Sequence, residues 1–265
     1  MLTGKILKVK QVITILRFIY TLYGFTCFLV LMLLLFPFFI VASFFGKVKG
    51  GNIIYSMCRL WGDCWFFLLG VNHKNIYEQP HDRNKQYIFI SNHISYFDIP
   101  VMMKAVRGQH IRILGKSEMA KVPLFGFIYK NAAVLVDRKD AIKRAKSLKT
   151  LKSILAKNIS IFICPEGTFN MTNAPLKDFY DGAFRIAIET QTPIKPILFL
   201  DTYDRLNYKS IFSLSPGRSR AVYLQETITT GYTLADLSHL KEKIYKQMEA
   251  ELIRYNASWI KRQHG

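Results

Sequence analysis

From Phe18 to Gly46 the chain runs 29 residues without a charged side chain, and no other segment constrains the fold as tightly. As a straight helix it would reach roughly 43 Å, against about 30 Å for the hydrocarbon core of a bilayer. It is long enough to span, or to bend. A cleaved signal peptide has a shorter apolar core followed by small residues, whereas this run continues through Phe36, Pro37, Phe38, Phe39 and Phe44 and is expected to persist in the mature protein. Lys5, Lys8, Lys10 and Arg17 precede it and Lys47, Lys49 and Arg59 follow it, so the positive-inside rule gives no direction of crossing. Two arrangements stay open: one true crossing, or a monotopic hairpin hinged near Pro37 with both ends cytoplasmic. A second apolar stretch, Trp61 to Val71, has the length of an interfacial or core helix and carries Asp63.

Half of the 265 residues are apolar and 21% are charged, which excludes a disordered chain. No linker rich in Pro, Gly and Ser divides it, so the expected organisation is a membrane-anchoring helical region, 1–71, and one catalytic domain, 72–265. Cys27, Cys58, Cys64 and Cys164 form no C-x-x-C pair, which points to a reducing compartment without disulfides or a metal site. The net charge of +19 calls for an anionic partner. Nucleic acid is set aside, because no motif supports it and the aromatic residues cluster in apolar runs rather than among Lys and Arg. An anionic membrane surface or an acidic carrier of substrate remains.

Beyond residue 72, short β-like runs alternate with helical ones, the pattern of an α/β domain. The expected strands are 87–91, 111–114, 133–136, 160–164, 194–200 and 220–224, and the expected helices 96–106, 139–157, 179–191 and 234–260. In the second of these helices Ile142, Ala145, Leu148, Leu151 and Leu155 share one face, which should pack on the sheet. The other face is strongly basic. It can be a solvated surface, a lipid-headgroup surface or a contact for the phosphates of an acyl carrier.

The chemistry concentrates in Ser91-Asn92-His93-Ile94-Ser95-Tyr96-Phe97-Asp98. Five residues separate His93 from Asp98, about 140° around a helix and opposite faces of a strand, so neither regular element brings them together. They meet if the strand ends at Ser91, His93 lies in a loop and Ser95 caps a helix whose third residue is Asp98. Asp98 then holds one imidazole nitrogen and leaves the other free to accept a proton. The same pair can also serve only as a loop hydrogen bond. No G-x-S-x-G elbow or evident activated thiol is present, and a His and Asp without a Ser suit direct acyl transfer to a substrate alcohol. Downstream, Cys164-Pro165-Glu166-Gly167-Thr168 closes another strand with a turn that can present backbone N–H groups and a carboxylate.

From about Tyr87 to Gly217 the sequence resembles the 1-acylglycerol-3-phosphate and related glycerolipid acyltransferases. The family's N-H-x-x-x-x-D block matches Asn92, His93 and Asp98, its glycine-to-D-R block matches 132–138 with Ala132 for Gly, and its F-P-E-G-T-R block matches 164–169 with Cys164 for Phe and Phe169 for Arg. Ile194-Lys195-Pro196-Ile197 fits the fourth block, and Lys177, Gly182-Ala183 and Pro216-Gly217 fall where the family has such residues. The resemblance implies a mixed sheet flanked by helices behind a hydrophobic anchor, with His93 as general base and Asp98 orienting it. It also implies that Asn92, Arg138, Glu166, Gly167, Thr168 and Lys177 bind substrate, with Arg138 and the third block serving the acceptor's phosphate. Lysophosphatidate would be the acceptor and acyl-CoA or acyl carrier protein the donor, without metal or bound cofactor, on the cytoplasmic side of a membrane. Phe169 removes a cation from this set, so a lyso-aminolipid or another lysophospholipid stays open as acceptor.

Overall fold

The fold is taken from a computed structural model that describes residues 2–137 and 140–260, with side chains from residue 11 onward. Helix α1 spans Leu2–Ser43 and runs through Pro37 without reversing. The reversal comes later, in a π-helical turn at Gly46–Gly50, and α2, Gly51–Leu68, returns antiparallel along α1. The expected hinge near Pro37 is therefore displaced to Gly46, whose φ of 78° is open to glycine and strained for a branched residue. Trp61 to Val71 is likewise not a separate segment: its first part is the last half of α2 and Val71 begins a strand.

The hairpin is closed by specific contacts. Trp65 Nε1 donates to Gly24 O at 2.8 Å, Tyr23 OH donates to Leu68 O at 3.0 Å, and Phe28 packs its ring against Trp61 and Trp65 at 4.3 and 5.2 Å. The opposite side of α1 stays exposed, with Leu33, Leu34, Phe38 and Val41 uncovered by the rest of the protein. Among the described residues α1 is the one helix long and apolar enough to cross a membrane.

The remaining elements are β1 (Val71–Tyr77), β2 (Ile88–Ser91), α3 (Asp98–Ala105), β3 (Ile111–Lys116), α4 (Phe125–Ala132), β4 (Ala133–Val136), α5 (Ala141–Leu155), β5 (Ser160–Ile163), α6 (Gly182–Thr190), β6 (Ile194–Phe199), α7 (Thr202–Arg205), β7 (Gly217–Tyr223) and α8 (Leu237–Arg254). The seven strands form one sheet in the order β1-β7-β6-β2-β5-β3-β4, parallel throughout except where β6 meets β7. This is the expected mixed sheet flanked by helices. Strands β2, β5 and β6 are buried at every residue and read as mainly apolar runs, interrupted by the buried Lys195 in β6. One face carries α1 to α4 and the other α5, α6 and α8.

Two elements depart from the sequence pattern. β1, with His73 and Asn75 hydrogen-bonded to each other on a polar edge strand, had no apolar alternation to reveal it. α5 covers the sheet only from Ser147, whose Oγ donates to Leu135 O, through Leu151 and Leu155. Ile142 and Ala145 are exposed, because the first turns of α5 pass beyond the short edge strand β4 and have no sheet to cover.

The hairpin turn is tied to the sheet by Arg112 of β3, which is 4% exposed. Its Nη2 donates to Lys47 O, Val48 O and Asn52 Oδ1 at 3.2, 3.1 and 2.9 Å. A guanidinium can satisfy several carbonyls with one rigid fork, which a neutral side chain cannot. Arg112→Leu would strand those acceptors, and should cost about 2–4 kcal/mol of stability and open the 44–50 turn to protease. Chemical denaturation in detergent checks this; an unchanged midpoint would mean that the turn is held from elsewhere.

Candidate active site

The two loops that carry His93 and Glu166 emerge at the same end of the sheet, at the carboxyl ends of the parallel strands β2 and β5. β2 stops at Ser91, and the Asn92 side chain then takes the place of a further strand residue: Nδ2 donates to Phe199 O at 3.1 Å and Oδ1 accepts from Phe199 N–H at 2.8 Å. Asn92 is thus bonded on both side-chain atoms to the backbone of β6 and stands outside the cavity lining. Its work is to fix where the loop begins.

His93 follows, and its Nδ1 lies 2.8 Å from Asp98 Oδ2. The same oxygen accepts N–H bonds from Ile94 and Ser95 at 2.8 and 2.9 Å. Ser95 completes the turn by accepting the Phe97 N–H at 2.8 Å and donating to Leu206 O. Because a carboxylate only accepts, the imidazole must present Nδ1–H to it, and its basic lone pair is left on Nε2. Asp98 is 1% exposed, whereas the His93 side chain keeps 19% of its surface open.

The second loop leaves β5 at Ile163. Gly167, at φ 75°, lets the chain turn back so that its N–H reaches Cys164 O at 3.1 Å. Glu166 is fully buried, and its two oxygens accept the N–H groups of His93 and Lys177 at 2.7 and 2.8 Å. It staples the histidine loop to the 164–177 loop and, like Asn92, stands outside the cavity lining. Lys177 Nζ donates to Thr168 Oγ1 at 2.9 Å. Gly167 and Thr168 line the cavity beside His93, and Phe169 sets its ring edge against His93 at 4.5 Å and against Tyr96 at 4.8 Å. Arg138 lies outside the described residues.

From this polar mouth a cavity of about 740 Å³ runs between α1, α2 and α4, walled by side chains such as Phe28, Met32, Trp61, Met103 and Ile128. Its apolar depth with a few converging polar groups is the usual form of a site for a small amphiphile. Sequence reading missed this chamber, since its walls come from elements distant in the chain. It also missed Lys116, which lines the cavity at the end of β3; position at a strand's carboxyl end was the available signal.

The architecture matches, with a TM-score of 0.71, the crystal structure of the 1-acyl-sn-glycerophosphate acyltransferase PlsC from Thermotoga maritima, at 19% identity over 95% of this chain and 99% of that one. Fold likeness alone identifies the architecture. The family model described as Acyltransferase matches residues 71–200, the stretch that holds both loops. The 1-acyl-sn-glycerol-3-phosphate acyltransferase of Haemophilus influenzae is 26% identical over 222 residues, 80% of this chain and 90% of that protein. That of Helicobacter pylori is 28% identical over 209 residues, 78% and 85%. The mouse alpha enzyme is 30% identical over 166 residues, 61% of this chain and 57% of its own length. The chain carries an Acyltransferase domain over residues 71–200 and is an acyl-transferring enzyme.

Burial pushes the Glu166 carboxyl up to about 8, while the N–H donors of Lys177 and His93 pull it down. A group raised in the folded state binds a proton that the unfolded chain has released, so its stabilising contribution is full below its ordinary value and is lost as pH rises through about 8. Glu166→Gln should flatten the fall in stability between pH 5 and 8, and should cost about 1–3 kcal/mol by setting an amide NH₂ against a backbone N–H. Denaturation midpoints of both proteins across that range provide the check; parallel slopes would contradict the account.

Proposed function

We propose that this enzyme is a 1-acyl-sn-glycerol-3-phosphate acyltransferase, taking its acyl group from acyl-CoA or acyl carrier protein and yielding phosphatidate for phospholipid synthesis at the cytoplasmic side of a membrane. The observation that carries the reading is the His93 imidazole, oriented by Asp98, at the polar mouth of an apolar chamber. The chamber suits an acyl chain. His93 Nε2 removes the proton as the acceptor hydroxyl attacks the thioester carbonyl, and Asp98 stabilises the imidazolium that results. The Thr168 hydroxyl, which accepts from Lys177 Nζ and so can donate its own proton into the cavity, stabilises the tetrahedral oxyanion, which collapses with release of the carrier thiolate. The proton then passes from His93 to that thiolate. The acceptor's phosphate would meet Lys116, Lys177 and Arg138, of which Arg138 alone offers a planar fork.

Phe169 favours keeping a second acceptor in view. Its ring occupies the space beside His93 where the resemblance places a cation, so a lysolipid with a different headgroup, such as a lyso-aminolipid, fits the same chemistry. Purified protein offered lysophosphatidate and a lyso-aminolipid in parallel, each with both donors, separates the two: fast turnover of the aminolipid alone would reject the phosphate reading. In the same assay His93→Ala should lower turnover at least about a hundredfold with folding unchanged. Retention of a tenth of wild-type turnover would remove His93 as the base.

A further inference from the structure

The connection from α7 to β7 begins at the active site and ends in an exposed apolar tip. Leu206 lines the cavity, its carbonyl accepts the Ser95 hydroxyl, and Asn207 pairs with Ser95 through an isolated β-bridge. Further along, Ser210 Oγ accepts the Phe212 N–H at 3.1 Å, and Ser213 Oγ donates to Ser210 O and accepts the Asn207 N–H at 2.6 and 3.0 Å. This tight turn presents Ile211 and Phe212 outward, 51% and 43% exposed. A hydrogen-bonded turn that holds two large apolar side chains in water gives up free energy unless something covers them.

The tip is not isolated. The Phe212 ring lies 5.1 Å from Phe18 on the exposed flank of α1, and the same corner includes the end of α2, where Leu68 accepts the Tyr23 hydroxyl and Phe67 is 85% exposed. The tip and α1 thus share one apolar surface on the helix that is long enough for a bilayer. Cations border it in the chain: Arg17 precedes Phe18, and Lys209 lies two residues before Ile211. Apolar insertion with a cationic collar is the pattern of binding at an anionic lipid surface.

We propose that the Ile211–Phe212 turn is a second bilayer-contacting element, distinct from the α1–α2 hairpin, that inserts at headgroup depth into anionic phospholipid and, through Ser95, holds the mouth of the His93 site over the membrane. The inserted tip sets the height of the site above the bilayer, so that an acceptor hydroxyl reaches His93 while its chains remain in lipid.

The test uses the full chain in phosphatidylcholine–phosphatidylglycerol vesicles whose acyl chains are brominated near the carbonyl. Phe212→Trp should add fluorescence, relative to wild type, that these shallow bromines quench; unquenched added fluorescence would overturn the proposal. The double variant Ile211→Ser and Phe212→Ser should raise KM for a lysolipid embedded in vesicles at least about fivefold, and leave kcat/KM for a short-chain lysolipid dissolved as monomer within about twofold. Equal loss on both substrates would make the turn a support of the fold, and loss on neither would remove it from lipid binding. A concentration-dependent dimer abolished by the double variant, with no quenching at position 212, would assign the surface to a second copy instead. The kinetic arm rests on the proposed acyltransferase reading, whereas the quenching arm does not. A wild type inactive on every lysolipid would defeat that reading and leave the insertion result standing.

Discussion

Three hydrogen bonds converge on one oxygen of Asp98, and the active end of the molecule depends on that convergence. The Ile94 and Ser95 N–H groups fix the carboxylate, and the carboxylate in turn fixes His93 Nδ1. Because the two backbone donors hold the carboxylate at the start of α3, the imidazole keeps its Nδ1–H bond in only one ring orientation. Glu166 adds a constraint from the other side by accepting the His93 N–H, and Asn92 anchors the preceding residue to β6. The base is therefore held through its backbone by two loops and a strand, while its ring stays open towards the chamber. Charge-assisted bonds of this kind are short and stiff, which is what a group needs if it is to meet a hydroxyl in one orientation.

The chamber couples that mouth to the anchor. Phe28 and Met32 of α1 and Trp61 of α2 are wall residues of the cavity and packing residues of the hairpin at once. The space proposed for the acyl chain is thus built partly from the helix that is long and apolar enough to cross a membrane, and Arg112 ties the hairpin to the sheet. Removing the apolar helix would open the chamber as well as release the anchor.

The sheet's interior was legible in the sequence because β2, β4, β5 and β6 are short, mainly apolar runs closed by turns, and the His93–Asp98 pair because a loop before a helix start brings the two together, although that helix begins at Asp98 itself rather than at Ser95. Other features were hidden for physical reasons. β1 is a polar edge strand paired with residues almost 150 positions away, and the 8 residues of α4 are too few for a helical period to declare itself. Pro37 looked like a hinge, yet the helix absorbs it and bends where Gly46 permits. Asn92 and Glu166 belong to the right motifs, but composition cannot tell whether a polar side chain faces a ligand or a backbone amide. Here both face the backbone.

The central claim is that one histidine activates the acceptor directly, without an acyl group ever resting on the protein. Cys164 lines the same cavity and offers the nearest chemical alternative, a thiol that could take the acyl group first. Intact-protein mass spectrometry after incubation with an acyl thioester, before and after adding lysophosphatidate, distinguishes them. The account predicts an unchanged mass without acceptor, and thiol release in step with phosphatidate once acceptor is present. A protein heavier by one acyl group, discharged on adding acceptor, would contradict it.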